Sequence, residues 1–238
     1  MAERIDTRVS ASIDGELIRL MDGYNEDTAQ FVGCVANLFE AARQSLSKLH
    51  DARELWQSNP AVTKEGAVVI VAKEAQALQT KVLKRYDLAT RDLDANIAHA
   101  EAQLAEPLVE LASRGPVNGE VRAYARSLDR KGREALMRQA LDSNDEATLA
   151  AVLGAQPFLS GLTPLDQQHF LRKYHESKRP DLVQRLDVMR RAQERLHDSR
   201  PIIFTAFSKA VGANPHEAAA YMRADEAAKA ALNIEPTA

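Results

Sequence analysis

The sequence predicts an all-α protein of elongated form, a long antiparallel helical hairpin followed by a multi-helix bundle. Three observations predict it. Aromatic residues make up 5% of the 238 residues against 45% apolar residues overall, a balance that suits thin helix-on-helix packing better than a thick sheet core. Val71, Ala75, Leu78, Val82, Tyr86, Ala89, Leu93, Ile97, Ala100, Leu104, Leu108 and Leu111 recur at intervals of 4, 3, 4, 4, 3, 4, 4, 3, 4, 4 and 3. That is an eleven-residue repeat, which keeps an apolar stripe nearly straight along a helix. Phe31, Val35, Leu38, Ala42, Leu46 and Leu49 follow the same rhythm of 4, 3, 4, 4 and 3, and two helices of matching period are natural partners.

Taken in order, residues 1–26 form an arm. Ile5, Thr7, Val9, Ala11 and Ile13 alternate with polar residues in a strand period, but an isolated strand has no partner in a helical chain. Gly15 to Met21 reads as one or two helical turns before Gly23, and the segment is expected to lie on the bundle, reach a neighbouring subunit or stay disordered. A first long helix starts near Asp27 or Thr28, either able to cap it, and runs to about Trp56. Ser58, Asn59 and Pro60 break the chain before Thr63 starts the second helix, so 27–114 reads as a hairpin. Val68, Val69, Ile70 and Val71 are a β-branched run without a second run to pair with, and are read as helix.

The second helix outreaches the first. At 1.5 Å per residue the two span roughly 75 Å and roughly 45 Å, which leaves the stripe around Leu93 to Leu111 to be covered by the C-terminal half or by another chain. Pro107 falls in this overhang and predicts a kink or a restart, because it removes the bond to the Gln103 carbonyl.

Gly115, Pro116, Asn118 and Gly119 are the strongest punctuation and mark a boundary. Beyond it 118–232 reads as a bundle. Asn118 caps a helix to about Leu128, and Asp129 caps another to about Leu141. A turn at Asp142, Ser143 and Asn144 leads to a helix over 145–153 ended by Gly154. A loop over 157–161 carries Phe158 and Leu159. Thr163, Pro164 and Asp166 supply cap, first-turn proline and acidic first turn for a helix to about Ser177. Pro180 opens a long segment toward Ser199 that Pro201 interrupts. Ile202, Ile203, Phe204 and Phe207 continue to Gly212, with Phe204 and Phe207 read as core anchors, and Asn214 with Pro215 starts a last Ala-rich helix. Residues 233–238 are a tail.

The formal net charge of -3 gives no global attraction to nucleic acid or anionic lipid. The longest apolar run, 67–72, is far too short for a membrane span, and no leader-like segment opens the chain. A cytoplasmic or otherwise unexported protein, without membrane contact, is expected. Cys34 is the single cysteine, so neither an intrachain disulfide nor a cysteine-based zinc site is available.

Catalysis needs acids, bases or nucleophiles converging in a pocket, and no spacing here demands one. His169 and His175, six apart, fall on different faces of a helix and match no His-Glu-x-x-His pattern. Ser45, Leu46, Ser47 and Lys48 match a Ser-x-x-Lys pattern without its companion motifs. Cys34, flanked by Phe31, Val35 and Leu38, reads as a packing residue. No catalytic, cofactor-binding or metal-binding residue is assigned.

The expected function is non-enzymatic: a structural, assembly or adaptor protein that holds a protein partner or a second copy of itself. A component of a phage particle or another multi-subunit assembly fits, though no residue establishes that context. The expected contact positions are Leu93, Ile97, Leu104 and Leu108 on the overhanging stripe, with Phe158 and Leu159 as a second patch. The alternative is nucleic-acid binding through the basic region 169–200, with Arg185, Arg190, Arg191 and Arg195 as its residues. Interleaved carboxylates at Glu176, Asp181, Asp187, Glu194 and Asp198 favour intrahelical pairing instead. The helices over 129–153 imitate a helix-turn-helix, but Asp145 and Glu146 stand where DNA would approach.

Overall fold

A computed structural model describes residues 6–115 and 117–232, with the backbone alone for Arg114 and Leu232. Ile5, Pro116 and the tail over 233–238 lie outside the described residues. Among those described there are helices and no strand: α1 (Glu16–Arg19), α2 (Glu26–Gln57), α3 (Lys64–Arg114), α4 (Asn118–Ser127), α5 (Arg130–Asp142), α6 (Glu146–Leu153), α7 (Pro164–Lys178), α8 (Pro180–Val211) and α9 (Pro215–Leu232), with short 3-10 turns at Ala11–Ile13 and Pro157–Leu159. No described helix is long and apolar enough to cross a membrane. The chain groups into two compact units, Met1–Leu93 with Arg191–Ala238, and Asp94–Arg190. The turn at Gly115 falls inside the second.

In the first unit α2 and α3 form the expected antiparallel pair. α2 is capped by Asn25 rather than Asp27. The Asn25 carboxamide oxygen accepts from the Thr28 amide at 3.0 Å, and Thr28 Oγ1 accepts from the Asn25 amide at 2.8 Å, a closed capping box that satisfies two donors at once. Thr63 caps α3 by accepting from the Gly66 amide, and the β-branched run is helical as expected. Val35, Leu38, Ala42, Leu46 and Leu49 are buried and Phe31 is half-buried. On α3 every stripe position is buried except Leu78, which is half-buried, and Leu111, which is exposed. The first part of α3 is tied to α8 by the Tyr86 hydroxyl, which donates to the Leu196 carbonyl at 3.2 Å, while Phe207 and Ile203 of α8 are buried.

The arm lies on α2, and it is not extended. Val9, Ile13 and Ile18 are buried; the i, i+4 spacing of Val9 and Ile13 overrides the alternating pattern, and the helical turns expected after Gly15 form at Glu16–Arg19. Gly15 makes this possible: a Cβ there would meet the Ala36 carbonyl oxygen at 2.8 Å, so the arm approaches the α2 backbone as closely as only glycine permits. Charged contacts complete the attachment. Arg8 pairs with Asp51 at 2.6 Å and Glu54 at 2.9 Å, Arg43 pairs with Asp14, and Ser47 Oγ donates to Asp6.

α8 departs from expectation, because the helix continues through Pro201 instead of stopping at it. Pro201 lacks an amide and is exposed, so the unmatched carbonyl one turn earlier, at His197, lies on the water-facing side. Pro107 is accommodated likewise inside α3.

The second unit packs the last part of α3 with α4 to α7 and the start of α8. Leu108, Met137, Leu149, Leu153 and Phe170 belong to its core. Asp129 and Thr163 cap α5 and α7 as their sequence positions predict, and Asp145 caps α6. Asn118 does something else. It is the first residue of α4 but gives that helix no side-chain cap. Its amide nitrogen donates backward to the Leu111 and Ala112 carbonyls, both at 3.0 Å, and so closes the end of α3.

A candidate interaction groove

Four of the six expected contact positions are core. Leu93, Ile97, Leu104 and Leu108 are 0%, 7%, 8% and 1% exposed. The chain buries the stripe, which leaves Leu93 and Ile97 no outward face, while Leu104 and Leu108 contribute only to the floor of the groove described next. Leu108 packs among residues of α4 to α7. Of the second patch, Phe158 is 68% exposed and Leu159 is half-buried.

The second unit carries an open groove of 890 Å³ walled by α3, α7 and α8. Leu104, Leu108, Leu153, Leu171, Val183 and Leu186 give it an aliphatic lining, and Glu101, Asp166, His169, Arg172, His175, Asp187 and Arg190 stand around it. Two wall residues face solvent strongly: Leu165 is 74% exposed and Val109 is 55% exposed. Each carries a legible signal. Val109 follows Leu108 directly and therefore breaks the period of α3, and Leu165 sits between a first-turn proline and Asp166, where a core side chain is not expected. Neither belongs to the eleven-residue stripe, so the period does not report them.

The arrangement of charge around the groove is closed. Arg190 pairs with Glu101 at 2.7 Å, joining α8 to α3, and Arg172 pairs with Asp187 at 2.8 Å and with Glu176 at 2.8 Å. Asp166 accepts from the Thr163 hydroxyl at 2.7 Å and lies 3.3 Å from Arg130. That hydroxyl, then Arg130, lowers the Asp166 carboxyl below its ordinary value. Both histidines line the groove despite their six-residue separation, and burial lowers the pKa of His175, which favours its neutral ring.

The basic region resolves differently from the intrahelical pairing expected of it. Arg172 with Glu176 is the i, i+4 case, but Arg172 with Asp187, Lys178 with Glu146 and Arg190 with Glu101 link separate helices. Arg191 faces Asp22 at 3.7 Å, Arg185 is half-buried, and Arg195 is exposed. The run is divided between the two units at Arg190 and Arg191. The helix-turn-helix likeness ends at α6, whose Leu149, Ala150, Ala151, Val152 and Leu153 are all buried. A helix so enclosed is not free to enter a major groove.

The other sequence motifs find structural partners. Ser45 Oγ donates to the Ala41 carbonyl within α2 at 2.7 Å. Burial raises the pKa of the Cys34 thiol, which disfavours the thiolate. Among the described residues no group of three or more His, Cys, Asp or Glu side chains is placed to hold a metal ion. Comparison of the chain with protein-family models, with curated proteins and with solved structures gave no match.

Proposed function

We propose that the protein is a non-enzymatic interaction protein, an assembly or adaptor component that holds an amphipathic helix of a protein partner in the groove of its second unit. The observation that carries this reading is the exposure of Leu165 and Val109 on the walls of an aliphatic groove. Exposed apolar side chains grouped around a concavity mark interaction sites more often than isolated ones do, and a groove between helices accepts an apolar helix face at i, i+3, i+4 and i+7. The charge pattern selects the face. Arg172, Arg190, Glu101 and Asp187 already neutralise one another, so a charged stripe entering the groove would lose water without gaining a counter-ion. An uncharged aliphatic stripe is the occupant that fits.

A photo-cross-linking residue placed at position 165 tests this in the cell that makes the protein. A discrete adduct that disappears when Val109→Glu is added supports the reading, and digestion of the adduct identifies the partner segment as an apolar helix face. An adduct twice the mass of the chain would identify a second copy as the partner. No adduct, or one indifferent to Val109→Glu, overturns the proposal. Co-purifying nucleic acid lost on Arg185→Ala and Arg195→Ala would favour the basic-region alternative.

A further inference from the structure

We propose that the arm at the start of the first unit is an acid-released cover, with His50 as the group whose protonation detaches it from α2. His50 is 8% exposed, and among the described residues its Nδ1 is a buried side-chain nitrogen with no hydrogen-bond partner. Neutral imidazole tolerates this, because the unpartnered nitrogen can be the bare lone pair. Imidazolium does not, since both nitrogens then carry protons and one N–H⁺ would sit in the interior with no acceptor.

The surroundings oppose the cation. Arg53 on α2 and Arg8 on the arm disfavour it, against Glu54 on α2 and Asp6 on the arm; Lys209 of α8 lines the same cavity, and Asp51 of α2 pairs with Arg8. Those three carboxylates are already engaged by Arg8. Burial first, then Arg53 and Arg8, hold the ring below its ordinary pKa. A 530 Å³ cavity whose wall includes Thr7, Arg8, His50, Ile202, Thr205 and Lys209 gives solvent and its protons a route to the site.

The arm is the wall that yields. α8 is anchored in this unit by buried Ala192, Leu196, Ile203, Phe207, Ala210 and Val211, whereas the arm has Val9, Ile13 and Ile18 and is otherwise held by exposed or part-buried polar contacts. Segments with few buried contacts open at the lowest free energy. Release would relieve the unpartnered proton and uncover α2 around Ala36, where Gly15 now rests.

Methyl resonances of Val9 and Ile13, followed on the full chain from pH 8 to pH 5.5 beside the imidazole resonances of His50, test the proposal. Carboxylates stay ionised across that range. The expected result is loss of the buried arm signals with the midpoint of the His50 titration, the open fraction nearly constant above the ordinary histidine pKa of about 6.5 and rising toward tenfold per pH unit below it. His50→Gln removes that dependence, which separates it from His197 and His216 of the same unit. Buried Val9 and Ile13 signals that persist while His50 protonates would overturn the proposal. So would release over the same range in His50→Gln. Coincidence of the two midpoints in the unaltered chain decides the matter if that variant does not fold.

Discussion

Gly154, at the end of α6, lies against Leu108 of α3 so closely that any Cβ on it would collide with the Leu108 carbonyl oxygen, with Ala112 Cβ and the Ala150 carbonyl oxygen each at 2.8 Å. Its φ of -79° is one any residue adopts. The glycine is required for approach and not for a left-handed turn. Gly154→Ala should destabilise the chain by about 1–3 kcal/mol, as overpacking does, where relief of backbone freedom alone would stabilise it by about 0.4–1 kcal/mol. Urea denaturation monitored by circular dichroism gives the sign.

Leu108 and Val109 are neighbours on α3 with opposite fates, 1% and 55% exposed. Leu108→Ala should cost about 2–5 kcal/mol, and Val109→Glu should change stability by less than about 0.5 kcal/mol. The pair Ile97→Glu with Leu104→Glu, which would leave an exposed stripe folded, should instead abolish folding here. Thermal melts of the variants distinguish core from contact surface at these positions.

Asn118 donates to two carbonyls at the end of α3 from a site 8% exposed. Asn118→Ala should cost roughly 1–3 kcal/mol, the penalty of leaving buried acceptors unmatched. Asn118→Asp should do at least as much harm, because a carboxylate would face carbonyl oxygens. Amide exchange should quicken at the end of α3 and leave α2 unchanged.

Asp6 links the arm to α2 through Arg8 and the Ser47 hydroxyl, and those two contacts, the Arg8 guanidinium foremost, hold its carboxyl well below the ordinary 3.8. The unfolded chain therefore takes up this proton at a higher pH than the folded one, so stability falls as pH falls. The contribution is complete above about pH 5 and drains away through pH 4 and below. Denaturation midpoints from pH 6 to pH 2 should fall less steeply for Asp6→Asn, and Ser47→Ala should lie between that variant and the unaltered chain.

Much of the fold was legible because its signals are local. The eleven-residue stripe of α3 and the cap residues Asp129 and Thr163 act within one or two helical turns of themselves, and sequence spacing records such relations directly. What escaped depends on encounters across the chain. Asn118 looks like a forward cap and serves the preceding helix. Pro201 looks like a stop, yet the unmatched carbonyl one turn before it faces water. The groove joins Glu101 to Arg190 and Leu153 to Leu165, separations that no periodicity reports. The stripe at Leu93, Ile97, Leu104 and Leu108 reads as apolar from its period but leaves open whether the C-terminal half or another chain covers it, because a one-dimensional pattern says that a face must be covered and not by what.

The division of the chain has a bearing on its synthesis. Asp94–Arg190 is a continuous stretch, whereas the other unit draws on both Met1–Leu93 and Arg191–Ala238. A ribosome delivers the whole of the middle unit before it delivers the residues that complete the outer one. During that interval Tyr86 waits for the Leu196 carbonyl and Arg53 waits for the Lys209 and Ala210 carbonyls. The interval in which residues 191–238 are being made is thus the period in which a chaperone would find most to hold, and a premature stop there would leave one unit complete and the other unfinished.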